Sequence, residues 1–218
     1  MSLFVTFEGP EGSGKTTQMQ SLAAYLREQG YDVLTTREPG STPIGERVRN
    51  ILLDPAHTEM FPPTEFLLFS AARAQHVVQV IGPHLAMGGI VFSDRYADSS
   101  LAYQGYGHQL DLEVLQAVSH FATGGLVPDL TLYFDVPVKV GLRRKMGGSG
   151  DAWNRMEQKE IAYHERVRAG YLAMAAQEPG RWVVVDASRG IDEVQATIRE
   201  LVVAWRDSEA RVEGEIAV

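Results

Sequence analysis

The stretch Gly9-Pro10-Glu11-Gly12-Ser13-Gly14-Lys15-Thr16 constrains this chain more than any other. It reads G-x-x-x-x-G-K-[ST], the pattern of a phosphate-cradling loop. Glycines let the backbone curl so that successive N–H groups point inward at a polyphosphate. The lysine, Lys15, reaches the outer phosphates, and the hydroxyl of Thr16 ligates Mg²⁺. The flanks suit the motif. Leu3 to Phe7 is a short apolar run with strand character, and Thr17 to Glu28 carries Met19, Leu22, Ala23 and Leu26 at helical spacing.

Strand and helix then alternate. Asp32–Thr36 reads as a second strand, and Thr42-Pro43 starts a helix that continues to Leu53, with proline at its first position. Pro62-Pro63-Thr64 caps a helix from Glu65 to about Ile81. Gly89–Ser93 is a third strand, followed by helices from about Ala97 and from Asp111. Leu130–Phe134 is a fourth strand, and Pro137 opens a helix running into Gly147-Gly148-Ser149-Gly150. A long helix is expected over roughly Asn154–Ala176, a fifth strand over Trp182–Val185, and a last helix carries Val194, Ile198, Leu201, Val202 and Trp205 on one face. Short, nearly continuous apolar strands between helices indicate an α/β fold whose parallel sheet is covered on both faces. We expect one domain over residues 1–206, with a small lid at about 143–155. Residues 207–218 are charged and weakly patterned, and read as a loose tail.

Composition narrows the chemistry. A net charge of −8 argues against an extended nucleic-acid-binding face, though not against nucleotides, which such a loop holds through local backbone dipoles. The absence of cysteine removes thiolate nucleophiles and cysteine–zinc sites. The histidines at 57, 76, 84, 108, 120 and 164 show no metal-binding spacing. No apolar run reaches membrane-spanning length, so a cytoplasmic protein without membrane partners is expected.

In such a sheet ligands bind beyond the carboxyl ends of the strands. Asp94 and Arg95 follow strand three. The aspartate suits the Mg²⁺ shell as partner of Thr16, and the arginine offers a planar fork for a second phosphate. Arg37, ending strand two, is a weaker case of the same kind. The glycine-rich stretch 147–150, flanked by Arg143, Arg144, Lys145 and Arg155, reads as a flap carrying cations or as a solvated loop.

The segments FEGPEGSGKTT (7–17), TREPGSTPIGERVR (36–49), SDRYADSSLAYQG (93–105) and NRMEQ (154–158), with PDLTLYFDV (128–136), resemble the thymidylate kinases from Leu3 to about Trp205. The resemblance implies a P-loop NTPase fold, transfer of the γ-phosphoryl of ATP to dTMP with Mg²⁺, and a homodimer. It implies that ATP meets Gly9, Glu11, Gly12, Ser13, Gly14, Lys15, Thr16 and Thr17, with Arg189 in the adenine-contacting loop after strand five. On the acceptor side it implies that Glu11 contacts the sugar 3′-hydroxyl, Phe69 stacks on thymine and Arg73 donates to its carbonyl. Ser100, Tyr103 and Gln104 would face base and sugar, with Tyr103 crowding the 2′ position, while Arg95 holds the dTMP phosphate and Arg37 supports it.

Some members of that family carry arginine directly after the acidic loop residue; here that place is Gly12, so the catalytic cation is expected from the lid, with Arg144 and Arg155 leading. Another nucleoside monophosphate kinase would share the loop and lid but prefer a different base. A nucleotide-dependent switch would be expected to carry D-x-x-G and N-K-x-D, and neither occurs in the sequence.

Overall fold

In a computed structural model the described residues are 2–147 and 159–216, the last of these, 206–216, as backbone only. Five strands form one wholly parallel sheet: β1 (Leu3–Glu8), β2 (Val33–Arg37), β3 (Ile90–Asp94), β4 (Leu130–Asp135) and β5 (Trp182–Asp186), in the order β2-β3-β1-β4-β5. The central position of β1 explains why every one of its residues is buried. Alternation sends Leu3, Val5 and Phe7 to one face and Phe4, Thr6 and Glu8 to the other.

The first face packs under α1 (Lys15–Glu28) and α9 (Ile191–Ile216), where Met19, Leu22, Leu26, Val194, Ile198 and Val202 meet the strands. Full burial of each such side chain is worth about 1.5–3 kcal/mol, so this layer supplies much of the fold's stability. The second face carries two smaller clusters. One sets Phe4 and Val91 against the helix continuing from α3 (Pro62–His76) through a π-turn (Val77–Ile81) into α4 (Gly82–Ala86). The other sets Tyr133 and Trp182 against α8 (Ile161–Gln177) and a π-helical segment (Leu101–Gly107) that follows the short α5 (Ala97–Ser100).

The remaining helices are α2 (Pro43–Leu53), α6 (Leu112–Thr123) and α7 (Val138–Gly147). Thr42 caps α2 by accepting from Gly45 N at 2.9 Å, and Asp111 caps α6 through Glu113 and Val114. Two boundaries differ from the sequence expectation. The long helix starts at Ile161, because Lys159 and Glu160 are not helical; Gly148 to Gln158, including Arg155 and the N-R-M-E-Q run, lie outside the described residues. At the other end, α9 continues as helix to Ile216, through most of the stretch expected as a loose tail.

Register positions the site. Arg37 pairs with Asp94, Asp94 with Phe7, and Asp135 with Asp186, so the strands end along one edge. The turn into α1 and the residues after β3 emerge together there.

Candidate active site

The loop after β1 delivers Lys15 as the first residue of α1, with Gly14 in the left-handed conformation at its N-cap. Burial lowers the Lys15 ammonium below its usual range, and neighbouring Arg95 adds to this, against Glu11, Asp94 and Glu8. Lys15 Nζ donates to Pro10 O at 3.3 Å, a weak internal bond that an incoming phosphate can displace. Ser13 Oγ is buried with no hydrogen-bond partner among the described residues, an open donor in the curl of the loop. The Thr16 hydroxyl donates to Asp94 Oδ2. A hydroxyl and a carboxylate touching beside a buried lysine fit the protein's share of a Mg²⁺ shell, which ordinarily takes its other oxygens from phosphates and water.

A cavity of about 280 Å³ opens from this point. Its walls include Glu11, Lys15, Thr16, Asp94, Arg95, Arg37, Phe69, Ser100, Tyr103 and Gln104. Arg95 is its most elaborately held side chain. Nη2 donates to Glu11 Oε1 at 2.5 Å and to the Tyr103 hydroxyl at 3.1 Å, while the guanidinium lies 5.0 Å from the Tyr103 ring centroid. Nη1 donates to Ser99 Oγ and Tyr171 Oη at 3.2 and 3.4 Å. The same two hydroxyls donate to Glu8 Oε2, at 2.6 and 2.8 Å. Both protons are therefore drawn toward Glu8, and their lone pairs face Arg95. The Arg95 backbone sits at φ 74, in the left-handed region, held by bonds from its own N to Phe7 O and from Ser93 Oγ to its O. A non-glycine residue there costs on the order of 1–3 kcal/mol, which the surroundings must over-determine.

Two carboxylates at this loop diverge. Burial pushes Glu8 up to about 7, and Asp98 assists, against Arg95, Ser99 and Tyr171. At Glu11 burial also opposes ionisation, but Lys15 and Arg95 outweigh it and the carboxyl drops to about 2. Glu11 is thus a fixed anion at neutral pH and Glu8 a titrating one.

Three comparisons bear on what such a cavity serves. The thymidylate kinase family model matches residues 7–198. A thymidylate kinase of Roseiflexus castenholzii is 53% identical over 213 residues, covering 93% of each chain. One from Thermomicrobium roseum is 52% identical, covering 95% of this chain and all of its own. The chain belongs to the thymidylate kinase family. The crystal structure of thymidylate kinase from Ehrlichia chaffeensis superposes with a TM-score of 0.74 at 34% identity, covering 92% of this chain and 98% of that one.

As a thymidylate kinase, the chain shows two sides around the P-loop. On the outer side a second cavity, about 380 Å³, is lined by Gly12, Ser13, Gly14, Thr17, Arg144, Arg189 and Ala187 among others. Gly9, turning the chain off β1, lines neither cavity. Arg144, a candidate for the transferring phosphoryl, donates to Ala187 O at 2.8 Å and Ser188 O at 3.4 Å, on this outer side. Lys145, not Arg144, lines the first cavity. Arg189 pairs with Glu193 at 3.1 Å on the surface. Gly12 has φ +72, and a Cβ there would stand 2.1 Å from Gly141 O of α7. An arginine at this place would displace the helix that leads into the lid.

Phe69 lies on the cavity wall, while Arg73, one turn further along α3, is buried behind it. Arg73 Nε donates to Glu38 Oε2 at 2.7 Å, and Nη2 to Tyr96 O and Ser100 Oγ. Its Nη1 has no hydrogen-bond partner among the described residues. Arg37 is half exposed and paired with Glu46 at 2.8 Å. Spacing in the sequence does not distinguish Glu38, Arg49 or Ser99, which also line the cavity. Glu38 reads in sequence only as a carboxylate in R-E-P-G; its buried partners Arg73 and His76 come from α3.

Proposed function

We propose that this chain transfers the γ-phosphoryl of ATP to dTMP, with Arg95 holding the acceptor phosphate and the outer cavity receiving the donor. The observation carrying this reading is one continuous cavity that joins Lys15, Thr16 and Asp94 to Arg95, Phe69 and Tyr103. Phosphate-binding cations and a base-sized aromatic wall lie on either side of one point.

The chemistry asks for alignment and charge neutralisation. A phosphate monoester has a second pKa of about 6, so near neutral pH the acceptor is largely a dianion and already a nucleophile. Glu11, held near 2, has no proton to give and would act as a fixed acceptor for the sugar 3′-hydroxyl. Arg95 is held in the cavity by Glu11, Tyr103, Ser99 and Tyr171, and an acceptor phosphate would exchange with some of these partners for charge-assisted bonds to the guanidinium. Lys15 at the helix N-terminus stabilises charge on the transferring group. Thr16 and Asp94 would hold Mg²⁺, which neutralises phosphate oxygens when bound. The unpartnered donor Arg73 Nη1 would meet the thymine carbonyl, Phe69 would stack on the base, and Tyr103 would crowd a ribose 2′-hydroxyl. Gly12 against Gly141 favours a lid source for any further cation, Arg144 or Arg155.

Comparing ADP formation with dTMP, dUMP, dCMP and AMP as acceptors tests the reading; dTMP should give the largest kcat/KM, and preference for AMP would overturn it. A homodimer is part of the same proposal. Phe61, Val78 and Phe121, on or beside α3, its π-turn and α6, are 74%, 72% and 87% exposed, which supports a covered face, and light scattering after gel filtration checks it. Among the described residues no helix is long and apolar enough to cross a membrane; a cytoplasmic location is part of the same proposal.

A further inference from the structure

Gln104 lies on the π-helical segment and lines the acceptor cavity, yet one end of its amide is already committed. Nε2 donates to Glu65 Oε1 at 2.7 Å. With Glu65 Oε1 accepting this bond, the reverse amide orientation would set oxygen against oxygen. Glu65 is fully buried in the first turn of α3, where the helix dipole favours a negative group. His108 Nε2 lies 3.4 Å from the same Glu65 oxygen, a second nitrogen facing it. Gln104 Oε1 receives no hydrogen bond among the described residues and is the end left for the cavity.

We propose that Glu65 is a positioning residue that fixes the polarity of Gln104 and so makes the base site demand an N–H donor next to a carbonyl. With Gln104 Oε1 as acceptor at the cavity wall and Arg73 Nη1 as the unpartnered donor buried behind it, the site matches the –NH–C=O edge of thymine or uracil. Cytosine presents a bare ring nitrogen beside an amino group, the inverse pattern, and leaves both protein groups unpaired. Sites built this way reject the mismatched partner strongly, because buried polar groups lose their bonds. Glu65 touches no substrate; it acts through Gln104, to which only the fold brings it. The inference rests on reading this cavity as the dTMP site.

The test uses the full-length enzyme with dTMP and 5-methyl-dCMP, which differ only at the edge in question. In Glu65→Gln the two facing amides can pair in either order, so Gln104 is free to turn. The ratio of kcat/KM for dTMP over 5-methyl-dCMP should fall about tenfold or more, with KM for ATP unchanged. In a Gln104→Leu background the same substitution should leave the ratio where Gln104→Leu alone puts it. Glu65→Met, which keeps the volume but removes both acceptors, should shift the ratio in the same direction and carries the test if the amide variant does not fold. Equal losses on both acceptors, or the same shift in both backgrounds, would make Glu65 merely structural and overturn the proposal. Absence of dTMP turnover in the unaltered enzyme would instead overturn the reading of the cavity, and this inference with it.

Discussion

The acceptor side and the donor side of the P-loop are built by different means. On the acceptor side the polar side chains are buried or half-buried for the most part, and several are answered by partners from far along the chain. Arg73 meets Glu38, Glu38 meets His76, Arg95 meets Tyr171, and Tyr171 meets Glu8. The donor side is backbone: a glycine-rich curl, a helix N-terminus, and exposed arginines tied to carbonyls or to surface glutamate. A small rigid acceptor with many polar edges rewards fixed partners. A polyphosphate presents repeated charge, which oriented N–H groups meet without side-chain order. The acceptor side should therefore be sensitive to buried partners that touch no ligand, and the donor side tolerant.

Lys15 stands at the junction and should show the largest effect. Lys15→Ala is expected to lower turnover roughly 10²–10⁴-fold with the fold intact, measured by steady-state kinetics beside thermal unfolding. Near-normal activity in a folded variant would remove Lys15 from catalysis and leave the two sides without a common centre.

Glu8 sharpens the comparison through pH. Its folded pKa of about 7 lies above the usual 4.5, so the native state holds a proton that the unfolded chain has released. The associated stability is fully present below 4.5 and is lost as pH rises toward 7. The loss amounts to on the order of 3 kcal/mol. In denaturant titrations Glu8→Gln should gain on the unaltered protein by about that amount across this range. A constant difference between the two would mean that Glu8 titrates alike folded and unfolded.

Arg73 tests whether the acceptor network also reads the base. Arg73→Ala would strand the buried Glu38 carboxylate and cost about 3–5 kcal/mol of stability, so it confounds recognition with folding. Arg73→Lys keeps a charge near Glu38 but loses the free Nη1 arm. KM for dTMP should rise roughly 10- to 100-fold, the worth of a charged hydrogen bond of about 1.5–3 kcal/mol, with KM for ATP unmoved. A change in ATP affinity alone would reverse the assignment of the two sides.

This contrast also explains what could be read from sequence. The donor loop is local, eight consecutive residues between a strand and a helix, so spacing alone reveals it. Asp94 and Arg95 follow from strand-end logic. The partners that set Arg95 were hidden because Glu8 and Tyr171 are 163 positions apart, and nothing local in either announces the other. One signal was available: Glu8 ends a strand whose every other residue is apolar or threonine, and a carboxylate there must find donors. The π-helical segment that presents Tyr103 and Gln104 has no local signature; it packs on α8 through Ala102 and Tyr103. Glu65 reads in sequence as an ordinary first-turn acid; only the fold places Gln104 above it.

The smallest effect is expected at Arg144, and it decides how far the donor side is as passive as its geometry suggests. Its guanidinium is tied to Ala187 O and Ser188 O in the loop after β5, beside the outer cavity and away from Arg95. In this arrangement it braces the loop against α7 and adds positive charge near the donor. Arg144→Ala should then raise KM for ATP by a few-fold to about tenfold, in line with the roughly 0.5–1.5 kcal/mol of an ordinary hydrogen bond, while kcat and KM for dTMP stay close to normal. The alternative outcome is a fall in kcat of about 10³ with both KM values unchanged, the signature of a contact made mainly in the transition state. That result would require Arg144 to leave both carbonyls and swing to the transferring phosphoryl during turnover. Gly12 could not take over its role, because the side chain of an arginine there would begin inside the backbone of α7. A small KM effect keeps the donor side as a backbone cradle with a cationic rim; a large kcat effect makes it the moving half of the enzyme.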